Sequence, residues 1–203
     1  MQFDRAKLKA AILYTCSKCE AAQLGSVKLH KVLYFADMLH YAFAGVPITG
    51  ATYRKRPYGP TCDELLPTLR DLGSQGALEI RNVDYFGFMK REYIAIDSPE
   101  INRFNDAEKT ILDEVISFVC FNNSAKTISE FSHNRAWELA EYGEALPYNS
   151  VFHIFPTQVS PETMEWASAE VKELEDQRSA GRALGAIPFG DLRSRVLATV
   201  RGE

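Results

Sequence analysis

The sequence feature that most constrains the fold is a long apolar stripe along residues 26–44. Apolar side chains recur there at the spacing of an α-helix, and Gly45 ends the pattern. Lys28, Lys31 and Asp37 lie outside the stripe, and the two lysines are predicted to lie on a solvated helix face. The stripe predicts a buried amphipathic helix. Its members are Leu29, Val32, Leu33, Ala36, Leu39 and Phe43.

A basic, aromatic strand, a Gly-Pro corner and a further helix are predicted after the long helix. Residues 51–58 read as the strand and residues 59–60 as the corner, because Gly permits unusual dihedrals and Pro fixes φ. Thr61 and Glu64 have the spacing of a capping box, which predicts that the helix starts at this point.

The predicted fold class is α+β and mainly α-helical, with helices around a small antiparallel sheet. Two strands, Leu78–Tyr85 and Met89–Asp97, follow the short helix and have turn residues between them. The order strand, helix, strand, strand predicts a winged-helix-like β-α-β-β unit, in which a helix packs on a β-hairpin. We expect one domain over residues 1–157 and a C-terminal helical extension over residues 158–203.

Composition limits the classes of protein to which the chain can belong. Hydrophobic residues make up 46% and charged residues 25% of the 203 positions, which is ordinary globular usage. The net charge of −4 argues against a generally basic nucleic-acid-binding protein. No apolar run approaches the roughly 18 residues of a membrane helix, and the N-terminus lacks the apolar core of a secretory signal. We therefore expect a cytoplasmic protein without membrane contact.

No catalytic or metal-binding pattern is present, so we predict neither an enzyme nor a cofactor. Asp63 and Glu64 are adjacent, and side chains at i and i+1 on a helix diverge. Motifs of serine hydrolases, phosphate-binding loops and zinc proteases do not occur. Cys16 and Cys19 form a C-x-x-C pair without a second pair, and the four histidines lack ligand spacing. We expect reduced, structural cysteines and no metal site.

Three elements together resemble the signature of a bacterial family, the SocA-like antitoxins, whose domain is also called Panacea. Residues 27–37, VKLHKVLYFAD, are similar to the family's KLxKLLYFA helix. Residues 58–60 resemble its YGP corner, and Ser132-His133 with Trp137 resembles its late SH…W element. The resemblance covers about residues 5–155 in order and spacing.

The resemblance implies an antitoxin that binds and neutralises a cognate protein toxin. In the SocA branch of the family the antitoxin acts as a proteolytic adaptor, which delivers its toxin to an ATP-dependent Clp-type protease. The implied partners are therefore a toxin and a protease of this class, and a homodimer is left open.

The basic, aromatic strand is the predicted contact surface. Three consecutive cations cannot all be buried, so at least one face of the strand is exposed. Arg and Tyr are enriched in interface hot spots, which favours either a partner that is acidic at the contact or a partner strand added to the edge. His133 and Trp137, four residues apart, form a second predicted patch, although Trp137 alternatively anchors the second half to the core. The predicted partner-binding residues are Tyr53, Arg54, Lys55, Arg56, Tyr58, His133 and Trp137.

The alternative function is a winged-helix-like DNA-binding transcriptional regulator, because antitoxins often repress their own operons. The predicted recognition helix, residues 61–72, carries Asp63, Glu64 and Asp71 against a single cation, Arg70. Carboxylates on this helix repel DNA phosphates. We therefore do not expect nucleic acid as a partner, and we prefer a winged-helix shape used for protein contact.

Overall fold

A computed structural model describes residues 2–153, 165–166 and 168–173 of the chain. The chain divides into two compact units, Met1–Pro156 and Thr157–Glu203. The described residues of the second unit are helical, and the predicted start of this helix lies outside the described residues.

The described part of the first unit consists of helices, two short β-hairpins and three helical turns. The α-helices are α1 Arg5–Lys18, α2 Ser26–Ala44, α3 Leu65–Ser74, α4 Asp106–Ile116, α5 Ala125–Phe131 and α6 Arg135–Leu139. The strands are β1 Tyr53–Arg54, β2 Thr61–Cys62, β3 Leu78–Tyr85 and β4 Phe88–Ala95. Two 3₁₀ turns, Ile101–Arg103 and Tyr148–His153, and one π turn, Ser117–Phe121, complete the list.

The mainly helical α+β class is confirmed, but the strands form two separate sheets. β1 pairs with β2 and β3 pairs with β4, both antiparallel, so β1 does not join the long hairpin. The predicted strand over residues 51–58 shrinks to Tyr53–Arg54. Pro57 contributes to this early end, because proline has no N–H to donate to a strand ladder.

The predicted capping box at Thr61 and Glu64 is wrong. Thr61 lies in β2, and α3 begins only at Leu65. The Glu64 carboxylate accepts a hydrogen bond of 2.9 Å from the Thr52 backbone N–H and does not return to the first turn of a helix. The Glu64 carboxylate, which the local pattern predicts as part of a helix cap, is therefore bound to a backbone donor 12 residues away in the chain.

Helix α2 lies at the centre of the core, as its apolar stripe predicts. Leu29 and Val32 are completely buried, and α2 packs against α1, α4, α5 and the 3₁₀ turn at residues 148–153. Phe43 was included in the stripe but is 81% exposed. It lies in the last turn of α2, where residues 43–46 are all exposed.

The two lysines of α2 are buried, so their predicted place on a solvated face is wrong. The Lys28 ammonium donates to the Cys120 carbonyl at 2.8 Å, and the Lys31 ammonium donates to the Pro60 carbonyl at the same distance. Lys31 is only 1% exposed, and this burial lowers its pKa to about 7. Each lysine connects α2 to the backbone of a distant segment.

Asp37 is the third buried charged residue of α2. Its carboxylate accepts hydrogen bonds from the Thr49 N–H at 2.6 Å, the Thr49 hydroxyl at 2.5 Å and the Tyr53 hydroxyl at 2.8 Å. Burial raises the pKa of Asp37, and these hydrogen bonds oppose the rise. The carboxylate thereby fixes the segment from Thr49 to Tyr53 on α2.

The lowered pKa of Lys31 predicts a pH dependence of folding stability. Between about pH 6.5 and 8 the unfolded chain keeps its lysine proton while the native state loses it, so the native state gains stability as the pH rises. Relative to Lys31→Met, the free energy of unfolding of the wild type should rise by about 1 kcal/mol over this interval.

Urea unfolding of both proteins at several pH values measures this difference. Subtraction of the Lys31→Met curve removes the contribution of the other titrating groups, the buried cysteines included. A difference that stays constant between the two pH values would show that the Lys31 pKa is ordinary.

Candidate functional site

The Gly-Pro corner is bound to α2 through backbone groups. In addition to the bond between Lys31 and Pro60, the Cys62 N–H donates to Nδ1 of His30 at 3.1 Å. Burial, and secondly the Lys31 charge, lower the pKa of His30 to about 4. The imidazole is therefore neutral at neutral pH and able to accept this bond. The helix and the corner, which the sequence shows as two separate motifs, form one bonded unit.

Gly59 is required by both conformation and space. Its φ is +88°, a region that residues with a Cβ rarely adopt. A Cβ at this position would lie 2.2 Å from the Ser132 hydroxyl and 2.7 Å from the Lys31 ammonium. The backbone of the corner therefore lies so close to α2 and to the end of α5 that a Cβ does not fit between them.

Strand β1 has no free edge. β2 pairs with one edge, and residues 143–146 cover the other. The Lys55 N–H donates to the Glu144 carbonyl at 2.9 Å, and the Leu146 N–H donates to the Tyr53 carbonyl at 2.7 Å. The predicted alternative, in which a partner strand adds to this edge, is excluded by this pairing.

Arg54 is bound within the protein. Its Nε lies 2.5 Å from a carboxylate oxygen of Asp63, and its guanidinium also donates to the Gly143 carbonyl at 3.1 Å. The side chain is still 38% exposed, so the pair is a half-solvated one. Arg54 positions β1 against its neighbours, and two of its five N–H donors are used within the protein.

Lys55, His133 and Trp137 form a stack. The His133 and Trp137 rings are parallel within 13°, with centroids 3.9 Å apart, and the Lys55 ammonium lies 4.2 Å from the Trp137 centroid. The indole N–H donates to the Arg56 carbonyl at 3.2 Å. Burial, and next the Lys31 charge, lower the pKa of His133, which favours the neutral ring in the stack. Trp137 is half-buried, so it both anchors α6 and contributes to the surface.

The tyrosines of this region differ in exposure. Tyr53 is 1% exposed and donates to Asp37, so the structure places it in the core and away from the predicted contact surface. Tyr58 is 72% exposed, and its backbone carbonyl accepts from the Ser129 hydroxyl at 3.0 Å.

Tyr142 was missed by sequence reasoning. It is 69% exposed, and its ring centroid lies 5.4 Å from the Arg56 guanidinium carbon. The sequence feature that could have identified Tyr142 is an aromatic residue in an irregular, polar stretch directly before Gly143. We name five exposed or half-buried side chains of this region the corner surface. It consists of Arg56, Tyr58, His133, Trp137 and Tyr142.

The described part of the chain contains neither a metal-binding cluster nor a membrane-spanning helix. Its His, Cys, Asp and Glu residues form no cluster of three or more that could hold a metal ion. None of its helices has the length and hydropathy needed to cross a membrane. The site offers aromatic surface and a few partly bound cations, which are groups suited to binding.

Replacement of Gly59 by alanine should destabilise the protein more than replacement of a glycine with a similarly positive φ but open surroundings. Gly76 is such a control, because its φ is +75° and a Cβ there would meet nothing within 4 Å. We expect Gly76→Ala to cost about 1 kcal/mol and Gly59→Ala to cost about 2 kcal/mol more, the excess being the clash with Ser132 and Lys31. Denaturant unfolding measures both, and equal costs would contradict the close approach.

A comparison with protein-family models identifies the domain. The model described as "Antitoxin SocA-like, Panacea domain" matches residues 29–138, which is 110 of the 203 residues and runs from α2 into α6. No curated protein and no solved structure gives a match. The match confirms the resemblance in the α2 motif, the corner and the His133–Trp137 element. The chain belongs to the SocA-like antitoxin family and carries its Panacea domain.

Proposed function

We propose that this protein is an antitoxin that binds a cognate protein toxin and neutralises it. The observation that carries the proposal is the family match over residues 29–138, which includes most of α2, the corner and most of α6. Membership of an antitoxin family also supports a regulatory, non-enzymatic role.

The corner surface is the proposed toxin contact. Tyr58 and Tyr142 are its most exposed members, and the Arg56 guanidinium carbon lies 5.4 Å from the Tyr142 ring centroid. Large aromatic side chains lose little conformational entropy on binding, and Tyr and Arg are enriched in hot spots. Trp137 and His133 stack on each other, and the indole N–H is bound to the Arg56 carbonyl, so this part of the surface is organised before a partner arrives.

We extend the proposal to the route of neutralisation, which is delivery of the bound toxin to an ATP-dependent Clp-type protease in the cytoplasm. An adaptor of this kind contacts two proteins, whereas a simple blocker contacts one. The two routes differ in one requirement, because only the adaptor depends on the protease.

The alternative of a DNA-binding regulator finds no favourable observation. The helix α3 has ten residues, and its exposed side chains include Leu66 and Pro67 in addition to Arg70. Asp63 and Glu64 precede the helix, so its N-terminal end is acidic. A recognition helix that contacts phosphates and base edges needs cations and polar groups at these positions.

Co-expression with the product of the adjacent reading frame tests the antitoxin role. We expect that product alone to arrest growth, and this protein to restore growth and to co-purify with it. Continued arrest together with a lack of co-purification would overturn the proposal. Deletion of the Clp-type protease then separates the routes, because an adaptor loses rescue and a blocker keeps it.

The double variant Tyr58→Ser/Tyr142→Ser should bind the adjacent gene product about tenfold or more weakly than the wild type does. Both hydroxyphenyl groups are exposed, so thermal stability should change little. Ile96→Ser removes another large side chain, 59% exposed and outside the corner surface, and serves as the matched control. Calorimetric titration that gives equal affinities for the double variant and the control would remove the corner surface from the interface.

A further inference from the structure

The end of the β3–β4 hairpin exposes four large apolar side chains. Tyr85, Phe86, Phe88 and Met89 are 55%, 86%, 76% and 73% exposed. A two-stranded hairpin is marginally stable when both of its faces meet water, and clustered apolar exposure marks interaction sites. The hairpin end therefore has the properties of a surface that a partner covers.

The turn itself carries an aromatic residue where the backbone disfavours one. Phe86 has φ +52° and Gly87 has φ +82°, and Phe86 has the only non-glycine positive φ among the described residues. Two successive positive φ values belong to a type I′ turn, for which Asn-Gly is the favoured pair. Phe86 is almost fully exposed in this disfavoured conformation, and its ring centroid lies 4.9 Å from that of its exposed neighbour Tyr85, which points to a role in contact.

A basic groove lies beneath the hairpin end. It has a volume of about 480 Å³ and extends to the starts of α2 and α5. Lys28, Lys90 and Arg91 line it, and none of its lining residues is acidic. Lys90 pairs with Glu92 at 3.1 Å and Lys28 is bound to the Cys120 carbonyl. Arg91 is exposed and has no hydrogen bond or ion pair within the described part of the chain.

Helix α5 connects this groove with the corner surface. Ser124 and Ala125 at its start line the groove, and Ser129 near its end binds the Tyr58 carbonyl at 3.0 Å. Seven residues of α-helix span roughly 10 Å. A contact area of standard size, about 800 Å² on each partner, is wide enough to include both regions.

We propose that the hairpin end and the basic groove form a second contact region for the toxin. The groove receives a toxin segment in which a carboxylate lies next to an aromatic or aliphatic side chain. The carboxylate pairs with Arg91, and the apolar side chain packs against Phe86 and its neighbours. This inference rests on the proposed antitoxin function and adds the chemistry of the partner.

Two variants test the region in the full-length chain, with the purified product of the adjacent reading frame as the probe. Phe86→Asn installs the favoured turn pair and removes the aromatic ring, so the melting temperature should stay equal or rise while affinity falls at least about tenfold. Arg91→Glu should weaken binding about fivefold or more at low salt, and the loss should shrink at high salt.

Matched controls are available on the same chain. Phe43→Gln removes a side chain that is 81% exposed near the other end of α2, and Arg70→Glu reverses an exposed cation on α3. Both controls should bind as the wild type does. A synthetic peptide scan of the adjacent gene product should place the tightest-binding peptides at segments that combine acidic and apolar residues, and these peptides should lose binding to Phe86→Asn.

The outcomes separate this inference from the proposed function. If the wild type binds the adjacent gene product and Phe86→Asn and Arg91→Glu bind equally well, the second contact region is wrong and the antitoxin role stands. If the wild type does not bind that product, both are overturned. If the wild type alone is a dimer and Phe86→Asn is a monomer, the hairpin end contacts a second copy of this chain. That result would also overturn the inference.

Discussion

The hydrogen bond from the buried Lys31 ammonium to the Pro60 carbonyl is the interaction on which the arrangement of this domain depends. A buried lysine N–H group needs an acceptor, and the Pro60 carbonyl of the corner supplies one at 2.8 Å. Gly59 permits that approach because it lacks a Cβ. The corner in turn fixes the direction of β1 and the position of Tyr58. One buried lysine therefore orients a segment whose outer side is the candidate binding surface.

The sequence predicts those parts of the fold that depend on local spacing. The α2 stripe and the β3–β4 hairpin follow from periodicities of 3.6 and 2. His133 and Trp137 do meet, but His133 precedes Asn134, the N-cap of α6, so their contact is not an i,i+4 pair within one helix. The burial of Lys28 and Lys31 was not predictable in this way, since their acceptors lie 92 and 29 residues away in the chain. Glu64 does not cap the helix for the same reason, because its carboxylate is bound to the distant Thr52 N–H.

The residues of the candidate site also divide into those whose positions local spacing predicts and those whose positions depend on long-range contacts. Alternation along β1 suggested a face of cations and aromatics, and the structure divides that group between the core, internal ion pairs and the surface. Tyr53 belongs to the core because Asp37 needs its hydroxyl, and Arg54 is occupied by Asp63. Tyr142 joins the site through a tertiary contact that no spacing rule encodes. In this chain the motifs thus report how the corner is built more directly than what it binds.

The pairing of residues 143–146 with β1 has a consequence for how the protein is made. Tyr53 lies more than 90 positions before Leu146, and its carbonyl receives the Leu146 N–H. Contacts between such distant positions form slowly, since the intervening loop must close first. During synthesis, the outer edge of β1 stays open until the ribosome has released nearly the whole domain. A shortened chain that ends before residue 142 leaves this edge unpaired and lacks Tyr142, so only a nearly complete domain presents the full corner surface.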